Sequence, residues 1–168
     1  MEHVVILGNG IAGITAARHI RKNSDKRITI ISAEADYFFS RTALMYVYMG
    51  HMRWQDIEPY EDWFWQKNRL ELKKGWVEKV DVGQKQLIFA QGEKFSYDTL
   101  IIASGSLTAK YNWPGQDLNG VQGLVTKQDL ELLEENAPSN KTCKHAVIIG
   151  GGLIGVELAE MLHTREIP

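Results

Sequence analysis

The chain opens with an uninterrupted apolar stretch that changes into a helical pattern at a glycine-rich turn. Val4 to Leu7 are all apolar, which is typical of a parallel strand covered on both faces. From Ile11 onward the apolar residues return at helical spacing, until the polar residues around Ser24 interrupt the pattern. Arg27 to Ile31 is a second short apolar run, so the opening of the chain predicts a β-α-β unit.

The pattern after this unit alternates between strand-like and irregular segments. Leu70 to Phe95 contains short alternating runs separated by glycine turns, which predicts an antiparallel insert between parallel strands. Tyr97 to Ser106 predicts another buried strand that ends in a turn of small residues. A loop, a short helix over Lys127 to Glu135 and a further apolar strand over His145 to Ile149 are predicted to follow.

Two of the apolar strands run directly into a glycine pattern of the form GxGxxG and then into a helix. The first copy is Gly8 to Gly13, and the second is Gly150 to Gly155, with a helix predicted over Val156 to His163. The first glycine permits a tight turn, the second lets the backbone approach a pyrophosphate, and the third lets the helix pack against the strand. The phosphate then lies at the positive end of the helix. One copy would be weak evidence, but two copies between strand and helix are strong evidence for nucleotide binding.

An acidic residue completes the first motif. Glu34 follows the second strand and lies about 20 residues after Gly13, where a carboxylate can accept hydrogen bonds from the ribose 2′-OH and 3′-OH. The alternative is that Glu34 is a solvated residue at a strand end. The glycines and the spacing favour the ribose role.

Composition and charge exclude several classes of partner. The 168 residues include 19 basic and 21 acidic side chains, and the net charge of -2 gives no electrostatic case for nucleic acid or an anionic membrane. The single cysteine, Cys143, excludes an internal disulfide and suits a reducing cytoplasm. No apolar run approaches the roughly 18 residues of a membrane span. We therefore expect a soluble, cytoplasmic protein with no nucleic-acid partner, no membrane span and no metal site.

These landmarks together resemble the FAD-dependent pyridine nucleotide-disulfide oxidoreductase superfamily over essentially the whole chain. The resemblance is carried by GNGIAG from Gly8, by Glu34, by YDTLIIASGS from Tyr97 and by GGGLIGVELAEML from Gly150. The stretch FSRTAL from Phe39 is similar to the YSRPLLS-type stretch of ferredoxin, rubredoxin and nitrite reductases. This chain differs from that stretch in having Thr42 for proline and Met45-Tyr46 for its polar end, and it has Ser104 for the usual threonine of the YDTLIIASGS segment. The disulfide-using branches carry a redox cysteine near that stretch, where this chain has none.

The resemblance implies an α/β fold with a Rossmann-like FAD-binding domain and an antiparallel β insert over residues 1–140. Residues 141–168 would be the first β-α unit of a second dinucleotide-binding domain, and the cofactors would be FAD and NAD(P)H. The residues at FAD would be Gly8, Asn9, Gly10, Ile11, Ala12, Gly13, Glu34, Arg41, Ala103, Ser104 and Gly105. Those at the NAD(P)H pyrophosphate would be Gly150, Gly152 and Gly155. No catalytic acid, base or nucleophile is assigned, because the cofactor carries the chemistry.

The activity implied by the resemblance is electron transfer from NAD(P)H through FAD to an electron-carrier protein, a quinone or oxygen. A second hypothesis is a non-catalytic flavin-binding or redox-sensing module, which the departures over Thr42 to Tyr46 leave open. A third, with NAD at the first motif and no flavin, leaves the second motif unexplained. The aromatic residues of segment 36–65 could face a flavin or a protein partner, but we expect them to fill a core.

The family's C-terminal part has no counterpart in these 168 residues. We therefore interpret the chain as a fragment of a longer protein or as one half of a two-chain assembly. The apolar strand over Ala146 to Ile149 would then lack cover of its own. We expect the chain alone to be inactive, to bind FAD weakly, and either to self-associate or to require the further part.

Overall fold

The computed structural model describes residues 1–168, which divide into two compact units. The first unit consists of Met1–Ser40 and Glu58–Gly105, and the second consists of Arg41–Ile57 and Ser106–Pro168. The boundary that the sequence predicts at residue 140, between two nucleotide-binding domains, stays a prediction.

Seven strands and five α-helices make up these units. The strands are β1 (His3–Leu7), β2 (Arg27–Ser32), β3 (Leu70–Lys74), β4 (Val77–Asp81), β5 (Gln86–Phe89), β6 (Lys94–Ser96) and β7 (Thr99–Ile102). The helices are α1 (Ile11–Asn23), α2 (Leu44–Tyr48), α3 (Asp62–Lys67), α4 (Lys127–Asn136) and α5 (Leu153–Thr164), with short 3-10 turns at Arg41–Ala43 and Trp54–Ile57. None of these helices has the length and apolar composition needed to cross a bilayer.

The first unit is built on a parallel sheet with the strand order β3-β2-β1-β7. Val4 of β1 pairs with Ile28 of β2 on one side and with Thr99 of β7 on the other. The chain therefore moves outward from β1 to β2 and β3, and it returns on the opposite side of β1 as β7. In open parallel sheets this reversal creates a crevice at the carboxyl ends of the two adjoining strands, which is the usual place for a ligand.

Both faces of the parallel sheet are covered, which explains why β1 is apolar from Val4 to Leu7. Val4 and Ile6 lie in the core that includes Ile14 of α1, whereas Val5 lies in a separate core on the other face with Leu87 and Phe89 of β5. Consecutive residues of a strand point to opposite faces, so two covering layers require an unbroken apolar run. The second covering layer is the antiparallel sheet β4-β5-β6.

Two predictions about the first unit need correction. The antiparallel insert begins at Val77 and not at Leu70, because β3 pairs in parallel with β2 and extends the main sheet. The strand predicted as buried after Tyr97 is an edge strand, and Ile102 at its end is 65% exposed. A continuous apolar run does not distinguish a central strand from an edge strand, because neighbours in the sheet are set by distant parts of the chain.

The expectation that the aromatic segment fills a core is confirmed for several of its residues. Phe38 and Trp65 are buried in the core of the first unit, and Tyr60 stacks on Phe64 with ring centroids 4.1 Å apart. In the second unit Tyr48 is completely buried. These aromatic side chains therefore stabilise the two units from within.

The second unit is a helical cluster around Tyr48. The Tyr48 hydroxyl donates to the Ala137 carbonyl oxygen, just beyond α4, while Met161 and Leu162 of α5 are buried in the same unit. The predicted helix over Lys127 to Glu135 is confirmed as α4. Its N-terminus is held by a capping box in which the Thr126 hydroxyl accepts from the Asp129 amide.

The strand predicted over His145 to Ile149 does not form a ladder in this structure. Its one backbone hydrogen bond outside the turn runs from the Ala146 amide to the Pro168 carbonyl oxygen at 2.9 Å. Val147 is 87% exposed and Ile149 is 67% exposed. This run is not a strand because no second strand lies beside it to supply the hydrogen-bond partners.

Candidate nucleotide-binding site

The glycine turn after β1 is held in place by two close backbone approaches. Gly8 has a φ of +114°, and a Cβ atom there would lie 2.1 Å from the Ala103 carbonyl oxygen. A Cβ atom on Gly13 would lie 2.0 Å from the Gly8 carbonyl oxygen. The turn that joins β1 to α1 therefore cannot form with larger residues at these two positions.

The middle glycine of this turn has a different environment. Gly10 has an ordinary φ of -72° and is the residue immediately before α1, where no side chain caps the helix. A Cβ atom on Gly10 would have no protein atom within 4 Å. The space beside Gly10 is open, and the first amide groups of a helix are those that lack partners within it.

The loop after β2 lies directly against the glycine turn. The Gly8 amide donates to the Ile31 carbonyl oxygen at 2.8 Å, and the Asn9 side-chain amide donates to the carbonyl oxygens of Ala35 and Tyr37. Glu34 lies in this loop with its side chain partly exposed. The structure thus brings the predicted ribose carboxylate and the predicted phosphate turn to the same edge of the sheet.

A third loop meets the same edge after β7. The Ala103 amide donates to the Leu7 carbonyl oxygen at 2.8 Å, which extends the pairing of β7 with β1 by one residue. Ser104 and Gly105 follow as exposed residues, and Gly105 has a φ of +73°. The three predicted FAD segments of the first unit therefore converge at the carboxyl ends of β1, β2 and β7.

A cavity of about 330 Å³ lies beside this edge. Its lining includes Asn9, Leu72, Lys73 and Lys74, but not Glu34. Both lysines are neutralised by acidic neighbours, since Lys73 pairs with Glu93 and Lys74 pairs with Asp36, each at 2.9 Å. The cavity is therefore not an obvious anion site.

The second glycine turn has the backbone form of the first, but no other segment packs against its first glycine. Gly150 has a φ of +116°, and a Cβ atom on Gly155 would lie 2.1 Å from the Gly150 carbonyl oxygen. Gly152 precedes α5 with a φ of -79°, and a Cβ atom on it would have no protein atom within 4 Å. The turn has this geometry even though the strand before it has no ladder, so its form is set by local sequence.

Arg41, the remaining predicted FAD residue, belongs to the second unit. Its guanidinium donates to the Val125 carbonyl oxygen, at the entry to α4. Its predicted place beside the flavin stays a prediction, as do the cofactor roles of the other predicted residues.

The chain belongs to the pyridine nucleotide-disulphide oxidoreductase family, because the model of that family matches residues 2–166. It is 33% identical over 160 residues to the ferredoxin–NAD(+) reductase subunit of the benzene 1,2-dioxygenase system from Pseudomonas putida, covering 94% of this chain and 38% of that protein. It is also 33% identical over 165 residues to nitrite reductase [NAD(P)H] from Bacillus subtilis, covering 96% of this chain and 20% of that protein.

A solved structure gives the same result at the level of the fold. NADH:rubredoxin oxidoreductase from Clostridium acetobutylicum superposes with a TM-score of 0.84 and 29% identity, over 99% of this chain and 43% of that one. The predicted family and α/β fold are confirmed. The chain spans less than half the length of each of these proteins.

One feature of the site and one feature of the second unit cannot be predicted from the sequence. The sequence predicts Asn9 only as part of the glycine turn, whereas its buried side chain joins that turn to the loop after β2. The one available signal was that the second turn has glycine, Gly151, at the corresponding position. Arg165, which binds three separate segments of the second unit, had no sequence signal beyond its place at the end of a helix.

Proposed function

We propose that this chain forms the nucleotide-binding part of an FAD-dependent NAD(P)H oxidoreductase. The ADP portion of FAD would bind at the turn Gly8 to Gly13, with its ribose at Glu34 and with Ala103 to Gly105 beside it. The pyrophosphate of NAD(P)H would bind at the turn Gly150 to Gly155. The open space beside Gly10 is the observation that carries this proposal.

A positive φ and a close approach by the protein's own atoms are two reasons for a folded chain to require glycine. Gly8 and Gly13 are explained by these reasons, but Gly10 is explained by neither. A glycine with an ordinary backbone and open surroundings leaves the main chain accessible to a group from outside the protein. The uncapped first turn of α1 makes an anion the fitting occupant, because helix N-terminal amides and the helix dipole favour negative charge.

The same argument applies at Gly152, which precedes α5 in the same conformation and surroundings. Two phosphate-binding turns in one chain fit two dinucleotides better than one. When bound, FAD would supply the hydride-accepting and electron-donating chemistry. The residues of this chain would bind and orient the cofactors, with Arg41 as a further candidate near the flavin.

The partners are also proposals. The relatives include a ferredoxin–NAD(+) reductase subunit and an NADH:rubredoxin oxidoreductase, which supports a redox protein or a small molecule as the electron acceptor. Val147 and Ile149 are mostly exposed, so we propose that protein covers them in the active assembly, either a second copy or further polypeptide. The single cysteine supports a reducing, cytoplasmic location.

The substitution Gly10→Ala tests the first nucleotide site. A methyl group there meets no protein atom, so we expect the free energy of unfolding to change by less than about 1 kcal/mol. It would occupy the space proposed for the pyrophosphate, so we expect the dissociation constant for FAD to rise by about tenfold or more, as measured by fluorescence quenching of the flavin. Gly83→Ala, in an exposed turn with ordinary φ, is the matched control and should change neither quantity.

An unchanged FAD affinity in Gly10→Ala, or a wild-type protein that binds neither FAD nor ADP, would contradict the proposal. Reduction of the flavin by anaerobic NADH or NADPH, in the assembly that holds FAD stoichiometrically, tests the oxidoreductase activity. A bound flavin that neither nucleotide reduces would instead identify a non-catalytic redox module. A monomeric chain with stoichiometric flavin would contradict the proposed need for a covering partner.

A further inference from the structure

We infer that Asn9 is a positioning residue that holds Glu34 in place for ribose recognition. The inference rests on the proposed nucleotide site, and it assigns the Asn9 side chain a role distinct from contact with the cofactor. The side chain acts through the loop after β2, which carries Glu34.

The burial of Asn9 shows that its side chain serves the protein interior. Asn9 and Thr29 are the two buried polar residues of the whole structure, and Asn9 is only 5% exposed. Burying an amide is costly unless it is hydrogen-bonded. The Asn9 Nδ2 group meets this need by donating to the Ala35 carbonyl oxygen at 2.9 Å and to the Tyr37 carbonyl oxygen at 3.2 Å.

These acceptors lie one and three residues after Glu34 along the chain. The segment before Glu34 is also fixed, because Gly8 donates to the Ile31 carbonyl oxygen and the Glu34 amide lies 3.3 Å from the Ser32 hydroxyl. The backbone that carries the Glu34 carboxylate is thus held both before and after Glu34. After Glu34, it is Asn9 that links this backbone to the phosphate turn. Holding a binding group in its bound position before the ligand arrives reduces the entropy cost of binding.

The second glycine turn provides an internal comparison. Gly151 stands where the first turn has Asn9, and yet the second turn has the same positive φ at its first glycine and the same close approach at its third. The side-chain amide is therefore not needed to form a turn of this kind. What Asn9 adds to the first turn is its connection to the loop of Glu34.

The test measures the preference of the apo-protein for ADP over 2′,3′-dideoxy-ADP, which lacks both ribose hydroxyls, by isothermal titration calorimetry. The wild-type chain should prefer ADP. Asn9→Gly copies the sequence of the second turn. This variant should lose about tenfold in affinity for ADP and keep its affinity for the dideoxy analogue, because the substitution disturbs only the hydrogen bonds to the ribose hydroxyls. Adding Asn9→Gly to Glu34→Gln should cost no further affinity, because both changes remove the same interaction.

Thr29→Val is the matched control. Thr29 is equally buried, and its hydroxyl is hydrogen-bonded to His3 and Glu71, away from the glycine turn. We expect this variant to lose stability but to keep the preference for ADP.

The possible outcomes separate this inference from the proposed function. Wild-type protein that fails to bind ADP would overturn both. Wild-type protein that prefers ADP, together with Asn9→Gly protein that keeps the same preference, would overturn only the positioning role. Asn9→Ala gives the same comparison if Asn9→Gly does not fold, and failure of both to fold would also overturn the inference, because Asn9 would then be required by the fold itself.

Discussion

Replacing Arg165 by alanine should destabilise the second unit far more than the removal of an ordinary surface charge. The Arg165 guanidinium donates to the Tyr48 carbonyl oxygen at 2.9 Å, to the Pro138 carbonyl oxygen at 3.0 Å and to a Glu134 carboxylate oxygen at 3.1 Å. It also lies over the Tyr48 ring, 4.5 Å from the centroid. One side chain at the end of α5 thus connects α2, the end of α4 and the segment that follows it.

The expected magnitude follows from these contacts. Hydrogen bonds that involve a charged group contribute about 1.5–3 kcal/mol each when measured by deletion, and a cation over an aromatic ring contributes about 0.5–1 kcal/mol. The contributions of one side chain do not add fully, and water replaces part of what is lost, since the Arg165 side chain is 28% exposed. We expect a loss of about 2–4 kcal/mol in the free energy of unfolding, at the upper end of the usual cost of a single substitution, because a partly buried hydrogen-bond network is broken.

The control is Arg53→Ala, which removes an arginine whose side chain is 72% exposed and pairs with Asp56. Exposed ion pairs contribute less than about 1 kcal/mol, so the free energy of unfolding of this variant should be close to that of the wild type. Arg165→Lys keeps the charge but loses the planar set of guanidinium donors, so its free energy of unfolding should lie between those of Arg165→Ala and Arg53→Ala. Urea unfolding followed by tryptophan fluorescence and by circular dichroism measures all three. Equal stabilities of Arg165→Ala and Arg53→Ala would refute the reasoning.

Two further predictions test the first unit. Gly13→Ala should lower the free energy of unfolding by more than about 2 kcal/mol, because the new methyl group would lie 2.0 Å from the Gly8 carbonyl oxygen. Thermal unfolding measures this loss, and a variant as stable as the wild type would contradict the prediction. The Arg27 guanidinium beside Glu71 lowers the pKa of that carboxyl below its ordinary value of 4.5, with a smaller contribution from a threonine hydroxyl. A carboxyl group whose pKa is lowered by folding contributes stability above pH 4.5, and this contribution is lost as the pH falls and the carboxylate is protonated. The difference in stability between wild type and Glu71→Gln should therefore shrink below pH 4.5 in a pH series of unfolding midpoints. A constant difference across that series would show that the ion pair with Arg27 does not carry the effect.

Much of the candidate site could be predicted because its determinants are local. An apolar run followed by the pattern GxGxxG predicts the two glycine turns, and both form with matching backbone geometry, at Gly8 to Gly13 and at Gly150 to Gly155. Apolar spacing predicts the first helix, and the strand and glycine turn before it predict a second over Val156 to His163; both helices form, the second over Leu153–Thr164. Glu34 was predicted from its distance along the chain, and the β-α-β unit brings its loop against the first turn.

The errors all concern contacts between segments that are far apart in the chain. Leu70 to Lys74 was assigned to the antiparallel insert, but it pairs with β2 in the main sheet. The run after His145 was predicted as a strand, but it lacks the neighbour that a strand requires. An apolar run indicates that a segment can be a strand, and it does not say which other segment will pair with it.

The amino-acid sequence by itself determined the pieces of this protein, which are two glycine turns, the helices that they open and the apolar strand that leads into the first. Backbone sterics and side-chain period act within a few residues, so they can be read without knowing the fold. The tertiary structure alone decided that Asn9 links the phosphate turn to the loop of Glu34, and that Arg165 connects three segments of the second unit. Those roles depend on which distant carbonyl groups come within hydrogen-bond distance, and only the folded chain brings them there.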